Sequence, residues 1–552
     1  MKKFADFKAM KKIISALCVG TVMLSFGAIG VNAAEVEKIG LNEKPVDVKA
    51  QLIDVNELKA GNGLPEKYSS VDMGYVTSVK SQNADNCWVF STVASCESLF
   101  LKNGFKFNDL SVFHLDNFAT FKPNGKGWQR NAGNGGYTEI SMGYLISRQG
   151  PFSVLNDNTQ VFAGYNVNSI EYIDKSNPVR IKELILENGA VTANYNANGS
   201  YLSNNMANFY CYNENAAISG HAVSVVGWDD NYPKANFASC GKTPKSNGAW
   251  LIKNSWGEFG PLKGYNWISY EDVFLFSDVF SPSFALTSAE KASDYEKLYQ
   301  NEIDGSTYAI DYFSGYDEVS YINFYDFSDG YDKLNKVIFN SKSVGADYKV
   351  YYIPAQYEKI ESDKSKWSLL AKGTVDYKGY ISVETNGFDL PLGYGAIGVT
   401  IDTQKVNKNL DMEDDRYVYN TFGTNEWLRD VNTGKYIFLN ESREKESFVM
   451  LDDEIYDLKR LYKDILEDEL GATLVIKAEA ENSSKAEPKA TLIGDADLDN
   501  EITVKDATMI QLYVANLRKT SVIRDLNSDY DQDGETTVKD ATYIQLFLAH
   551  LL

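Results

Sequence analysis

Four side chains in this 552-residue chain have the types and the order that acyl transfer requires: Gln82, Cys87, His221 and Asn254. A thiol can attack a carbonyl carbon, and an imidazole can take the thiol proton and return it to a leaving amine. A carboxamide can hold the imidazole in one tautomer without adding charge. An upstream glutamine can donate a hydrogen bond to the oxyanion. His221 follows Cys87 by 134 residues, and Asn254 follows His221 by 33. The chain has three histidines, and neither His114 nor His550 stands in a comparable pattern.

The elements around these residues are readable. Cys87-Trp88-Val89-Phe90, Val93-Ala94 and Leu99-Phe100 predict a buried helix with the thiol at its N-terminus. The positive end of the helix dipole there favours thiolate, although a core cysteine capping an apolar helix has the same pattern. Gly220-His221 heads the apolar strand Val223–Val226, which would hold the imidazole still. Ala249-Trp250-Leu251-Ile252-Lys253 reads as a strand ending at Asn254-Ser255-Trp256-Gly257, where Trp256 would shield the carboxamide from water. Bare backbone at Gly133-Asn134-Gly135-Gly136 could pair with an extended peptide, or form a plain turn. His114, within an apolar helix region, reads as structural.

Taken in order, these motifs resemble the papain-like cysteine peptidases over about residues 64–285. The resemblance implies an α+β catalytic domain with a helical lobe and a β-barrel-like lobe. It implies catalysis by Cys87, His221 and Asn254, with Gln82 and the Cys87 N–H at the oxyanion and no catalytic cofactor. Gly135, Gly136 and Trp256 would contact a protein or peptide substrate. The Gln82–Cys87 gap is one residue shorter than in papain, and Asp85-Asn86 replace the glycine and cysteine before the nucleophile. That difference motivates an alternative: a catalytically degenerate peptidase fold serving as a binding or adhesion module. Transglutaminase-like and cell-wall amidase enzymes also order Cys before His, but leave Gln82 and Asn254-Ser255-Trp256-Gly257 unexplained.

The length exceeds one hydrophobic core and suggests about three or four domains. A net charge of −22 argues against general nucleic-acid binding, which needs basic stripes. Lys2, Lys3, Lys8, Lys11 and Lys12 precede the uncharged run Ile13–Gly30, and Val31-Asn32-Ala33 offers small residues for cleavage. Residues 1–33 therefore read as a secretory signal peptide in preference to a membrane anchor. The mature protein is expected outside the cell with no membrane span. Cys18 leaves with the signal. Cys211 and Cys240 could form a disulfide, whereas Cys96 reads as a buried apolar residue.

Residues 34–63 form a short N-terminal segment and 64–287 the peptidase domain. Residues 288–478 alternate in strand fashion, as in Tyr348–Ile353 and Ala396–Ile401, and read as a β-sandwich. That block resembles the lectin-like domain following some bacterial papain-like peptidases, so carbohydrate binding and plain packing are both open. Residues 479–490 read as a linker.

Residues 491–552 contain a repeat of period 34. Asp495, Asp497, Asp499, Glu501, Thr503 and Asp506 return as Asp529, Asp531, Asp533, Glu535, Thr537 and Asp540. Oxygen ligands at loop positions 1, 3, 5, 7, 9 and 12 form a calcium-loop pattern. Gly534 occupies position 6 of the second loop, and Asn500, which tolerates a left-handed backbone, replaces it in the first. Apolar residues follow at helical spacing: Ile510, Tyr513, Val514 and Leu517, then Ile544, Phe547, Leu548 and Leu551. The pair resembles a type I dockerin. That implies two Ca2+ ions, a small helical module, and a cohesin of a scaffoldin as partner. Val504-Lys505 and Val538-Lys539 would be the contacting pairs. The protein would then be held at the cell surface through a cellulosome.

Overall fold

The computed structural model describes residues 63–118, 127–128, 130–155, 159–277, 281–302, 316, 318–356, 359–402, 424–425, 427–429, 436–439, 443–465, 472–484, 492–499, 501–515 and 522–551. The signal segment 1–33 with Cys18, residues 34–62, the linker end 485–490, Asn500 and Leu517 lie outside them. Among the described residues no helix is long and apolar enough to cross a membrane.

The helical side of the catalytic region is built around α1 (Cys87–Lys102), whose residues are buried from Cys87 to Phe100. Beside it lie α2 (Val112–Phe118) and α3 (Thr138–Ile146). Trp88, Val93, Leu99 and Phe100 share one core with Ile140, Leu145 and Ile146. A fourth helix, α4 (Pro178–Asn188), begins with proline in its first turn, and the Asn177 side chain accepts from Arg180 N.

Among the described residues the longer strands of the other side are β1 (Tyr165–Tyr172), β2 (Val191–Asn196), β3 (Gly220–Asp229), β4 (Ala249–Lys253), β5 (Tyr265–Ser269) and β6 (Phe284–Lys291). β3 is buried from Gly220 to Trp228. Ala222 joins the α1 core, while Val223 and Val225 join a second core with Ile181 and Ile185 of α4. A strand covered on both faces reads as a continuous apolar run, which explains this segment's composition.

The sheet does not stop at the catalytic region. In chain order β7 (Glu296–Tyr299), β8 (Glu318–Asp326), β9 (Lys333–Ser341), β10 (Asp347–Gln356), β11 (Gly379–Asp389), β12 (Tyr394–Asp402), β13 (Ser447–Leu451) and β14 (Ile476–Glu481) follow. One sheet runs β7-β14-β9-β11-β1-β6-β2-β3-β4-β5, and a second holds β10-β12-β8-β13. The two face each other across a core of Val319, Tyr321, Val337, Phe339, Val350, Val399 and Ile476. The expected two-layer β architecture of the middle region is therefore present.

Secondary structure runs across its expected boundaries. The 287/288 division falls inside β6, which pairs with β1 from Phe284 to Lys291. Sheet continuity passes through two residue pairs, Gly379↔Glu171 and Tyr380↔Ile170. Gly379 has φ +138, and a Cβ there would lie 2.0 Å from the Ile170 carbonyl oxygen, so this crossing needs glycine. The linker expected at 479–490 is also shorter. Glu479–Glu481 belong to β14, and buried Glu479 binds Arg148 of the catalytic region and Lys336.

The tail folds as α5 (Val504–Val514), α6 (Val522–Ser528) and α7 (Val538–Leu548). Ala507, Ile510, Tyr513, Ala541 and Ile544 form its small core, against which Tyr394 of the middle region packs.

Candidate active site

Cys87 is the first residue of α1 and is fully buried. Its Sγ accepts from Ala222 N at 3.4 Å, placing the sulfur beside the residue after His221. The helix N-terminus was expected to favour thiolate. Burial outweighs it and pushes the thiol up to about 12, although the N–H groups of Ala222 and Trp88 act the other way. Burial thus opposes ionisation of this thiol and the neighbouring N–H groups favour it.

His221, fully buried on β3, stands opposite Tyr195 of β2 in the sheet register. Its Nε2 lies 2.9 Å from Asn254 Oδ1. The half-exposed Trp256 ring stacks on the imidazole at 4.9 Å and 22°, as the shielding expectation required. Nε2 is thus committed to Asn254.

Gln82 joins this group through the Asn254 segment. Its N–H donates to Ser255 O at 2.7 Å, and its Oε1 accepts from Ser255 Oγ at 2.5 Å. One of its two Nε2 hydrogens goes to Ala84 O at 2.8 Å, leaving the other. The residues before Cys87, where the motif departs from papain, are anchored by Asp116. That carboxylate accepts from Asn86 Nδ2, Gly133 N and Arg130, while Asp85 N donates to Gly133 O.

Gly135 and Gly136 sit beside this anchor. A Cβ on Gly136 would fall 2.5 Å from the Trp88 indole, so its smallness answers first to Trp88 packing. The Gly135 carbonyl accepts from Arg130 Nε at 3.4 Å.

Sequence reasoning missed Asp116, Tyr195, Asn266 and Glu97. Glu97 alone carried a signal, a single carboxylate in an otherwise uncharged helix core. His114 is structural as expected: buried, stacked on Phe152 at 3.6 Å and 2.7 Å from Tyr144 Oη. The Cys211–Cys240 pairing is corrected. Both are free, buried thiols, donating to Asn213 O and Asn208 O respectively.

In the tail, carboxylate oxygens of Asp495, Asp497 and Asp499 lie within 4.8 Å of one another, as do those of Asp529, Asp531 and Asp533. Burial, then the charges of Asp506, Asp499 and Asp495, push Asp497 up to about 6. Glu501, Thr503, Glu535 and Thr537 stand outside these close triads. Asp506 and Asp540 close capping boxes with Thr503 and Thr537. Val504 and Val538 are 64% and 59% exposed. Lys505 pairs with Asp499, and Lys539 with Asp531 and Asp533. His550 is exposed.

Comparison with known proteins agrees with this geometry. The papain family cysteine protease description matches residues 64–274, and a lectin-like domain description matches 298–425. The structure of the protease and lectin-like domains of Cwp84, a surface-layer-associated protein of Clostridium difficile, is 30% identical with TM-score 0.66. It covers 82% of this chain and 94% of that one. Clostridial Cwp84 after propeptide cleavage is 32% identical, TM-score 0.64, covering 76% and 99%. Mouse cathepsin J and bovine cathepsin S are 27% and 28% identical over 37% of this chain. The chain spans 60% and 59% of those two curated relatives. The chain belongs to the papain family of cysteine proteases, with a lectin-like domain following the catalytic one.

Proposed function

We propose that the protein is an exported cysteine endopeptidase that cleaves peptide bonds through an acyl-enzyme on Cys87. The observation that carries this reading is the His221 Nε2–Asn254 Oδ1 contact of 2.9 Å, with the Cys87 sulfur against Ala222 N. His221 Nδ1 takes the thiol proton as the sulfur attacks the carbonyl, and the resulting imidazolium protonates the leaving amine. The free Nε2–H of Gln82 and the Cys87 N–H serve the oxyanion. Water then releases the acyl group, with His221 as base. Hydrolysis of unfolded protein is expected for the wild type and absent in Cys87→Ala; equal rates would overturn the reading.

One observation favours the degenerate-module alternative: the Cys87 thiol, pushed up to about 12, must ionise during catalysis. Labelling of Cys87 by a peptidyl epoxide at neutral pH decides between them, an inert thiol supporting the binding module.

The tail is read as a dockerin. Its donor set fits calcium: hard oxygen ligands, crowded carboxylates, and the same arrangement twice. Asp495, Asp497, Asp499, Glu501, Thr503 and Asp506 would hold one ion and Asp529, Asp531, Asp533, Glu535, Thr537 and Asp540 the other. Bound ions would neutralise the clusters. The exposed Val504 and Val538, each beside a lysine, would face the cohesin. Undiminished cohesin binding in chelator would refute this assignment. Export is supported by residues 1–33 and by the surface-layer association of Cwp84. The lectin-like domain is read as a carbohydrate contact.

A further inference from the structure

We propose that Asn266 is a positioning residue that fixes which end of the Asn254 carboxamide faces His221. The proposal rests on the proteolytic reading above. An asparagine has two chemically opposite ends, and only Oδ1 can accept from imidazole Nε2–H. Something must therefore prevent Asn254 from turning over.

The structure contains an amide relay that does so. Asn266 Nδ2 donates to Met206 O at 2.8 Å, and Asn254 Nδ2 donates to Asn266 Oδ1 at 3.3 Å. Asn254 Oδ1 then faces His221 Nε2. A backbone carbonyl can only accept, so Met206 O dictates that Asn266 turns Nδ2 toward it. Oδ1 of Asn266 must then face Asn254, whose Nδ2 must face back. Ser255 N, which can only donate, reaches Asn254 Oδ1 at 2.8 Å and imposes the same orientation from the other side. The carbonyl that starts the relay belongs to a residue at φ +58, a left-handed conformation uncommon for methionine.

All three polar side chains are nearly dry, with Asn266 6%, Asn254 4% and His221 0% exposed. Hydrogen bonds aligned head to tail polarise one another in such surroundings. Each link increases the negative charge on Asn254 Oδ1 and so favours imidazolium, the partner of the Cys87 thiolate. Cys87, through Ala222 N, and Tyr195 lie beside His221. The Tyr195 ring makes a T-shaped contact at 5.7 Å, and burial pushes its phenol up.

The test compares Asn266→Leu, which keeps the shape and removes both polar ends, with Asn266→Asp, which keeps an acceptor toward Asn254 and gives up the donor to Met206 O. Alkylation of Cys87 by iodoacetamide is followed against pH, and kcat and KM are measured on unfolded protein. For Asn266→Leu the alkylation midpoint should move to higher pH, and kcat should fall about tenfold with KM nearly unchanged. Asn266→Asp should keep the midpoint at or below the wild-type value. A wild-type alkylation profile in a folded Asn266→Leu would overturn the proposal. If that variant does not fold, an alkaline shift in Asn266→Asp overturns it instead. Alkylation needs no turnover, so a wild type that alkylates normally but cleaves nothing would sink the proteolytic reading and leave the relay standing.

Discussion

Glu97, fully buried ten residues beyond Cys87 on the same helix, accepts from Lys80 Nζ at 2.5 Å. Its carboxylate also accepts from Thr77 Oγ1 and from Leu110 N. Lys253 Nζ donates to Thr77 at 3.0 Å. Lys80 stands two residues before Gln82, and Lys253 immediately before Asn254. One buried carboxylate thus joins the segments carrying Cys87, Gln82 and Asn254.

Glu97→Ala should be strongly destabilising, because it leaves Lys80, partly buried, with only Asp109 at 3.8 Å and leaves Leu110 N without its acceptor. Breaking a buried pair costs about 3–5 kcal/mol, and the partial exposure of Lys80 places this loss near the lower figure. Lys253, which burial pushes down to about 8 and Glu97 helps keep charged, loses that support as well. Urea unfolding of the variant is the measurement, and a midpoint within error of wild type would contradict the network's role.

Acid sensitivity should arise in part at His114. Burial pushes its imidazole down to about 4 from an ordinary value of 6.5. Between those values the unfolded chain binds a proton that the folded protein refuses, so stability falls as pH drops from 6.5 to 4. Above 6.5 this contribution is complete. His114→Gln should flatten that part of the stability curve, at some cost in packing against Phe152. An unchanged slope between pH 6.5 and 4 would remove His114 from the account.

The C-terminal module should separate from the middle region when Arg524 is lost. This fully buried guanidinium binds Asp326 at 2.6 Å, donates to Ala496 O at 2.9 Å and lies 4.2 Å over the Tyr394 ring. Arg524→Ala leaves Asp326 without its cation, a loss of about 3–5 kcal/mol from the docked arrangement. Limited proteolysis should release the tail faster in the variant. Equal release rates would mean that other contacts hold it.

Thiol titration of the denatured, unreduced protein should find Cys87, Cys96, Cys211 and Cys240 all reactive. Burial raises Cys211 to about 12 and Cys240 to about 11, so both should resist alkylation while the protein is folded. A pair of missing thiols after denaturation would restore the disulfide.

The candidate catalytic residues were legible in the chain. Cys87, His221 and Asn254 each head or end an apolar run, and the order of residue types with that spacing leaves few other readings. The acidic repeats were legible for the same reason, since the carboxylates of each close cluster lie within one loop. Asn266, Tyr195 and Asp116 were not legible, because each acts on a partner that only folding brings near. That the sheet continues across the 287/288 division was not legible either, for a related cause. Strand pairing such as Gly379↔Glu171 joins residues about two hundred apart, and alternation within a strand does not name its partner. The burial of the thiol was also visible only in the folded protein. A helix N-terminus is a local feature visible in the chain, but the burial that opposes it is the sum of everything packed around Cys87.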